Sequence, residues 1–145
     1  MGGRSLKFLA LLLFLSLPAA ARAQDAPLGP ADATAIRGVI SAQLNAFLHD
    51  DGNAAYSYAS PTIQTLFHDP GTFMEMVRTG YQPVYRAHDV EFRDLGPIEG
   101  RLVQQVYMVG PDGVGVIADY AMQKQPDGSW KINGCAIEKA PDQGV

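Results

Sequence analysis

Asp119 is the best-placed carboxylate in this chain for proton-transfer chemistry, because it lies between Ala118 and Tyr120 inside an otherwise apolar run. A carboxylate base and a phenol donor converging in a dry pocket are the equipment of an isomerase or a dehydratase. The donor would come from Tyr81, Tyr85 or Tyr107, and Asp119 with Tyr85 is the catalytic pair to test. Strand alternation, however, puts Asp119 with Ile117 and Ala121, and puts Val116, Ala118, Tyr120 and Met122 on the other face. If that second set is the core face, Asp119 is an outward, solvated group. The segment Tyr81-Gln-Pro-Val-Tyr85 also has two readings: a row of pocket donors, or a packed corner with its rings on the core and its hydroxyls at water.

The candidate ligand-binding residues are Gln43, Tyr81, Tyr85, Gln105 and Arg86. Gln43 adjoins an apolar helical stripe, and Gln105 sits in a strand of Leu, Val and Tyr. A buried amide must be hydrogen-bonded, so each either ties down backbone or orients a ligand. Arg78 and Arg86 bracket the tyrosine corner; they could grip a carboxylate ligand in bidentate fashion or pair with neighbours such as Glu75 and Asp89. His49, His68 and His88 share no metal-ligand spacing, and the single cysteine, Cys135, is remote from them, so no metal is expected. No G-x-S-x-G turn marks a hydrolase nucleophile, and Gly110–Gly115 lacks the lysine and following helix of a phosphate loop. No cofactor is expected. One cysteine cannot form an internal disulfide, and Cys135 reads as a small buried hydrophobe.

The elements that must position these residues come after an N-terminal address. Arg4 and Lys7 precede the apolar run Phe8–Leu17, Pro18 ends it, and Ala21-Arg22-Ala23 offers the small residues of a cleavage site. The run is roughly half the length of a membrane-spanning helix, so residues 1–23 read as a removable signal peptide of an exported, periplasmic or secreted protein. Removing Arg4, Lys7 and Arg22 from 11 basic residues leaves 8 against 15 acidic ones, a net charge of −7. Such a surface repels phosphate backbones and anionic lipid, which argues against nucleic acid as a partner, and no membrane span remains after cleavage.

Residues 24–31 read as a disordered lead-in, 32–139 as one domain, and 140–145 as a flexible tail. Ile36, Val39, Ile40, Leu44, Phe47 and Leu48 recur at helical spacing, so the pattern predicts one long helix from about Asp32 to His49. A short helix is expected over Asn53–Tyr58. Ser60-Pro61 opens another through Phe67, and Asp69-Pro70 opens one ending at Gly80. The period then changes. Val90 and Phe92, Leu102–Val109, Val114–Met122 and Trp130–Ile137 are β-rich runs parted by Gly96-Pro97, Gly110-Pro-Asp-Gly113 and Pro126-Asp-Gly-Ser129. Connections this short demand antiparallel neighbours. Helices followed by strands predict an α+β domain, its helices packed on a curved antiparallel sheet of about four strands.

That order, with the Asp127-Gly-Ser-Trp-Lys-Ile132 hairpin, resembles the nuclear-transport-factor-two-like (cystatin-like, α+β cone) superfamily. At closer range it resembles the bacterial exported proteins grouped as domain of unknown function 4864. The matching segments are Ile36-Arg-Gly-Val-Ile-Ser-Ala-Gln43, Phe47 with Asp50-Asp51, Tyr58-Ala-Ser-Pro61, Phe73-Met-Glu-Met-Val77, Tyr81–Tyr85 and Ser129-Trp-Lys-Ile-Asn-Gly-Cys135. The resemblance implies a cone-shaped apolar cavity between the first helix and the sheet, and a homodimer through the outer sheet face. It implies no chemistry, because this fold hosts enzymes, carriers and assembly domains alike. The expectation is a non-catalytic exported domain binding a small apolar ligand or a protein partner. The alternative is the isomerase- or dehydratase-type enzyme with its Asp/Tyr pocket.

Overall fold

The computed structural model describes residues 27–141. The expected export signal over 1–23, and residues 24–26 and 142–145, lie outside them. Helix α1 spans Pro30–Leu48 and buries Ile36, Ile40, Leu44 and Phe47 along one stripe. Its proline fits the first turn because no intrahelical bond is needed there. Four short helices come next: α2 (Gly52–Ser57), α3 (Pro61–Phe67), α4 (Pro70–Gly80) and α5 (Gln82–Tyr85). The first three are opened by side chains that satisfy free backbone amides, Asp51 accepting from Ala54, Ser60 from Ile63 and Asp69 from Thr72. Helix α5 forms within the corner expected around Tyr81–Tyr85.

The second half is a four-stranded antiparallel meander in the order β1-β2-β3-β4. The strands are β1 (His88–Ile98), β2 (Arg101–Val109), β3 (Gly115–Lys124) and β4 (Trp130–Lys139). Strand β1 runs straight through Gly96-Pro97, which the sequence pattern marks as a break. An edge strand tolerates the proline, since one of its ladders has no partner to receive an N–H. The actual turn is Glu99-Gly100, with φ of +50° and +77°. Positive φ at both central positions suits a two-residue hairpin between right-twisted strands.

Among the described residues the five helices precede the sheet on the chain, and the core forms where α1, backed by the short helices, meets one sheet face. Val106, Met108, Val116, Ala118, Tyr120, Met122, Trp130 and Ile132 join Ile36, Ile40 and Phe47 there. A polar tie locks α1 to the β3–β4 hairpin: Asp32 accepts hydrogen bonds from the Gly29 amide at 3.1 Å, and from Trp130 Nε1 and Lys124 Nζ at 3.2 Å each.

One irregularity in β4 re-aims the side chains beyond it. Met122 pairs with Ile132 and Ala121 with Gly134, so Asn133 is an extra residue with no partner. This β-bulge inverts the alternation of the strand. Cys135 comes to lie opposite Tyr120, and Ile137 opposite Ala118, on the core face. The bulge is pinned by the α2–α3 link: Ser60 donates its hydroxyl to Asn133 Oδ1 at 2.7 Å, and Ser60 N donates to Ile132 O at 2.8 Å.

Candidate functional site

Helices α1, α3 and α4 do not close completely on the sheet. They leave a hollow of about 350 Å³ with Tyr120, Ile132, Gly134 and Cys135 as its sheet wall. Helix α1 contributes Gln43 and Phe47, one turn apart on its buried stripe. Helix α4 contributes Phe73, Met76 and Val77. Phe73 is the hub of this wall: its ring centroid lies 5.6 Å from Tyr56, 5.8 Å from Phe67 and 6.2 Å from Phe47. Helix α3 forms the rim. It buries no residue of its own, and its Leu66 borders the hollow while 66% exposed. The helix is held instead by polar ties, Tyr56 donating to Gln64 O at 2.6 Å and Gln64 Nε2 donating to Tyr56 O at 3.1 Å.

The polar groups on the wall are few, and most are engaged. Gln43 is 4% exposed and donates from Nε2 to Ala55 O at 3.1 Å, joining α1 to α2. Tyr81 donates its hydroxyl to Cys135 O at 3.1 Å, joining the α4–α5 corner to β4. Tyr120 differs. It is 1% exposed, and its hydroxyl is buried without a hydrogen-bond partner. The Cys135 thiol opposite is a weak partner at best. Burial, and secondarily the neighbouring Cys135, push the Tyr120 phenol well above its usual range. Burial first, then the charge of Asp119, push the Cys135 thiol up to about 12, against a smaller lowering by a hydrogen bond from the Tyr120 hydroxyl. Both groups therefore stay protonated at neutral pH, and neither serves as an anionic nucleophile or base there.

Of the residues singled out in the sequence, Gln43 and Tyr81 reach the hollow. Asp119 does not. It pairs across the sheet with Gln105 and Ala136 on the face turned away from the helices, and Gln105 Nε2 donates to Asp119 Oδ1 at 3.0 Å. Asp119 and Gln105 thus satisfy each other outside the hollow, because β3 alternates regularly and its other face carries the core. Tyr85 and Arg86 form a separate cluster at the C-terminal end of α1. Tyr85 donates its hydroxyl to Asp50. Arg86 Nη2 reaches both Asp50 oxygens at 3.0 Å, and its Nη1 donates to Phe47 O at 2.5 Å. The guanidinium also stacks on the Tyr85 ring, 3.9 Å from its centroid. Arg86 is spent on satisfying a helix end, and the Asp119–Tyr85 catalytic pair is not assembled. Arg78 pairs with Glu75 at 2.6 Å. Among the described residues no group of His, Cys, Asp and Glu could hold a metal.

Sequence reasoning missed Tyr120 and Phe73. The signal for Tyr120 was present in the apolar set Val116, Ala118, Tyr120, Met122, since a tyrosine in such a set has its hydroxyl in the core. Over residues 30–145 the chain matches the family described as Domain of unknown function (DUF4864). It belongs to that family. No curated protein and no solved structure matches it. For this DUF4864 domain the hollow is therefore the feature from which function must be read. No helix among the described residues is long and apolar enough to cross a membrane.

Proposed function

We propose that this DUF4864 chain is an exported, non-catalytic domain that holds a small apolar ligand between its helices and its sheet. The observation that carries the reading is a hollow of about 350 Å³ walled mainly by carbon. Small-molecule sites are typically concavities of ~300–1,000 Å³ with an apolar lining and a few placed polar groups. The absence of catalysis is supported by the wall's chemistry: no carboxylate, imidazole, lysine or arginine among the described residues lines it. Export is supported by the basic start, apolar run and small-residue cleavage pattern of Met1–Ala23.

The test uses 1-aminonaphthalene, an uncharged fluorophore small enough for the hollow, and the variant Ile63→Trp. Ile63 lies on the α3 rim, half-buried, so an indole there obstructs the opening. Saturable one-to-one binding with a blue-shifted emission, lost in Ile63→Trp while the circular dichroism stays unchanged, supports the reading. Binding that survives in the variant, or no binding to the parent protein, removes it.

A further inference from the structure

The hollow constrains the chemistry of what fills it, and this inference rests on the ligand-binding reading above. Gln43 is the one amide side chain among the described lining residues, and it is only 4% exposed. Its Nε2 donates to Ala55 O at 3.1 Å. A carbonyl oxygen can receive only the NH₂ end, so that bond fixes the orientation of the amide and leaves Oε1 pointing elsewhere. Among the described residues Oε1 receives no hydrogen bond. It is not sealed in either, for the fully buried side-chain atoms without a partner are Gln104 Oε1 and the Tyr120 hydroxyl. The little surface that Gln43 keeps faces the hollow it lines. Gln43 Oε1 is thus an open acceptor inside an apolar concavity, and native proteins rarely leave such a group unpaired.

The other polar groups on the wall do not offer a donor to a guest. Tyr81 commits its only proton to Cys135 O at 3.1 Å, so its oxygen can accept but not donate. The Tyr120 hydroxyl is sealed behind the wall against the Cys135 thiol. That thiol is held neutral, the effect of burial outweighing the bond from Tyr120. Phe47, Phe73 and Val77 supply carbon, and none of the described lining residues carries a charge at neutral pH. Bringing an ionised carboxylate or ammonium into such surroundings without a counter-ion is strongly unfavourable. Size follows from volume. A cavity of ~150 Å³ takes one benzene ring, so a space of about 350 Å³ takes roughly a dozen heavy atoms.

We propose that the ligand is an uncharged, largely hydrocarbon molecule of roughly a dozen heavy atoms whose one hydroxyl donates to Gln43 Oε1. Alcohols and phenols share that chemistry. Ketones, esters, ionised fatty acids and ionised amines do not.

Four probes of nearly one shape test this: 2-(hydroxymethyl)naphthalene, 2-ethylnaphthalene, 2-acetylnaphthalene and 2-naphthoate, measured by equilibrium dialysis against the whole protein at pH 7. Each affinity is set against partition of the same probe into hexadecane, which has no hydrogen-bonding group. The alcohol-to-ethyl ratio should be about tenfold or more higher in the protein than in hexadecane, because only the protein pairs the hydroxyl. The acetyl-to-ethyl ratio should rise far less, and naphthoate should not bind. In Gln43→Met the alcohol-to-ethyl ratio should fall roughly three- to tenfold, the effect of one neutral hydrogen bond. Taking a ratio cancels any loosening of α2 that follows from losing the bond to Ala55 O. The Gln43 side-chain carbonyl carbon of isotope-labelled parent protein, followed by NMR, supplies a readout without any substitution: it should move downfield with the alcohol and not with the ethyl probe. Equal ratios in parent and variant, an unmoved carbonyl resonance, an acetyl ratio raised as far as the alcohol's, or preferential binding of naphthoate each overturn the inference while leaving a ligand site intact. Retention of none of the four probes overturns both the inference and the reading beneath it.

Discussion

Replacing Tyr120 by phenylalanine should stabilise the ligand-free protein, the reverse of what removal of a buried, hydrogen-bonded tyrosine hydroxyl does. Where such a hydroxyl is paired, its loss costs about 1 kcal/mol. Here no oxygen or nitrogen reaches it, and the weakly interacting Cys135 thiol opposite is its one neighbour able to pair. A buried polar group left without a strong partner carries a penalty of up to about 1–3 kcal/mol, which the substitution removes. Against this stands the small void left by one oxygen atom, a few tenths of a kcal/mol at about 24 cal/mol per Å³. The balance is a gain of about 1 kcal/mol, or an increase in Tm of roughly 3–6 °C for a domain this size. Urea denaturation followed by circular dichroism, with Cm and slope compared between the two proteins, measures it directly. A loss of 1 kcal/mol or more at unchanged slope would show that the hydroxyl has a strong partner in the folded state.

Other perturbations probe the frame around the hollow. Trp130, buried in the core and hydrogen-bonded to Asp32, should cost about 3–5 kcal/mol when replaced by alanine. It is the chain's only tryptophan, so the measurement needs circular dichroism rather than intrinsic fluorescence, and near-native melting would show that the last strand has been assigned the wrong face. Acid should destabilise the fold through Asp32, Asp50 and Asp69. Each is held below the usual carboxylate range: Asp32 by the Gly29 amide, then Lys124 and Trp130, Asp50 by the Tyr85 hydroxyl and then Arg86, and Asp69 by the Thr72 amide. Their contributions are complete above the unfolded carboxylate value near ~3.9 and vanish as the pH drops through the lower folded values. Urea midpoints at pH 3, 4 and 6 should therefore decline only toward the acid end, and less steeply in Asp50→Asn; equal declines would remove Asp50 from the account. Cys135, its thiol raised to about 12, should react with iodoacetamide at pH 8 about a thousandfold more slowly than a free thiol of pKa ~8.5. Cys135 is only half-buried at the wall of the hollow, so rapid alkylation of the folded protein would contradict the raised thiol and not the packing.

Much of this was legible in the chain as letters. Ser60-Pro61 and Asp69-Pro70 announce α3 and α4 because a capping oxygen and a proline at the first turn are local requirements that no distant contact has to supply. The stripe Ile36, Ile40, Leu44, Phe47 sets the buried side of α1, and the β-rich runs with short connections require an antiparallel sheet. The edge strand was harder. Gly96-Pro97 looks like punctuation in any sequence, and the place of β1 at the sheet edge among the described residues lets the strand continue to Ile98.

The candidate site divides along the same line. Period and local punctuation could nominate Gln43 beside an apolar stripe, and could warn that regular alternation turns Asp119 outward, since both depend on near neighbours in the chain. They could not show that Arg86 is consumed by Asp50 and Phe47 O, 36 and 39 residues away in sequence. Nor could they show that an unpaired Asn133, tied to Ser60 from 73 residues earlier, turns Cys135 inward to face Tyr120. Short-range sterics and hydropathy determined the elements and their buried faces. Which polar groups found partners, and which were left without (Gln104 Oε1 and the Tyr120 hydroxyl), depended on long-range closure, because a hydrogen bond is satisfied or not by atoms that only the assembled fold brings within about 3 Å.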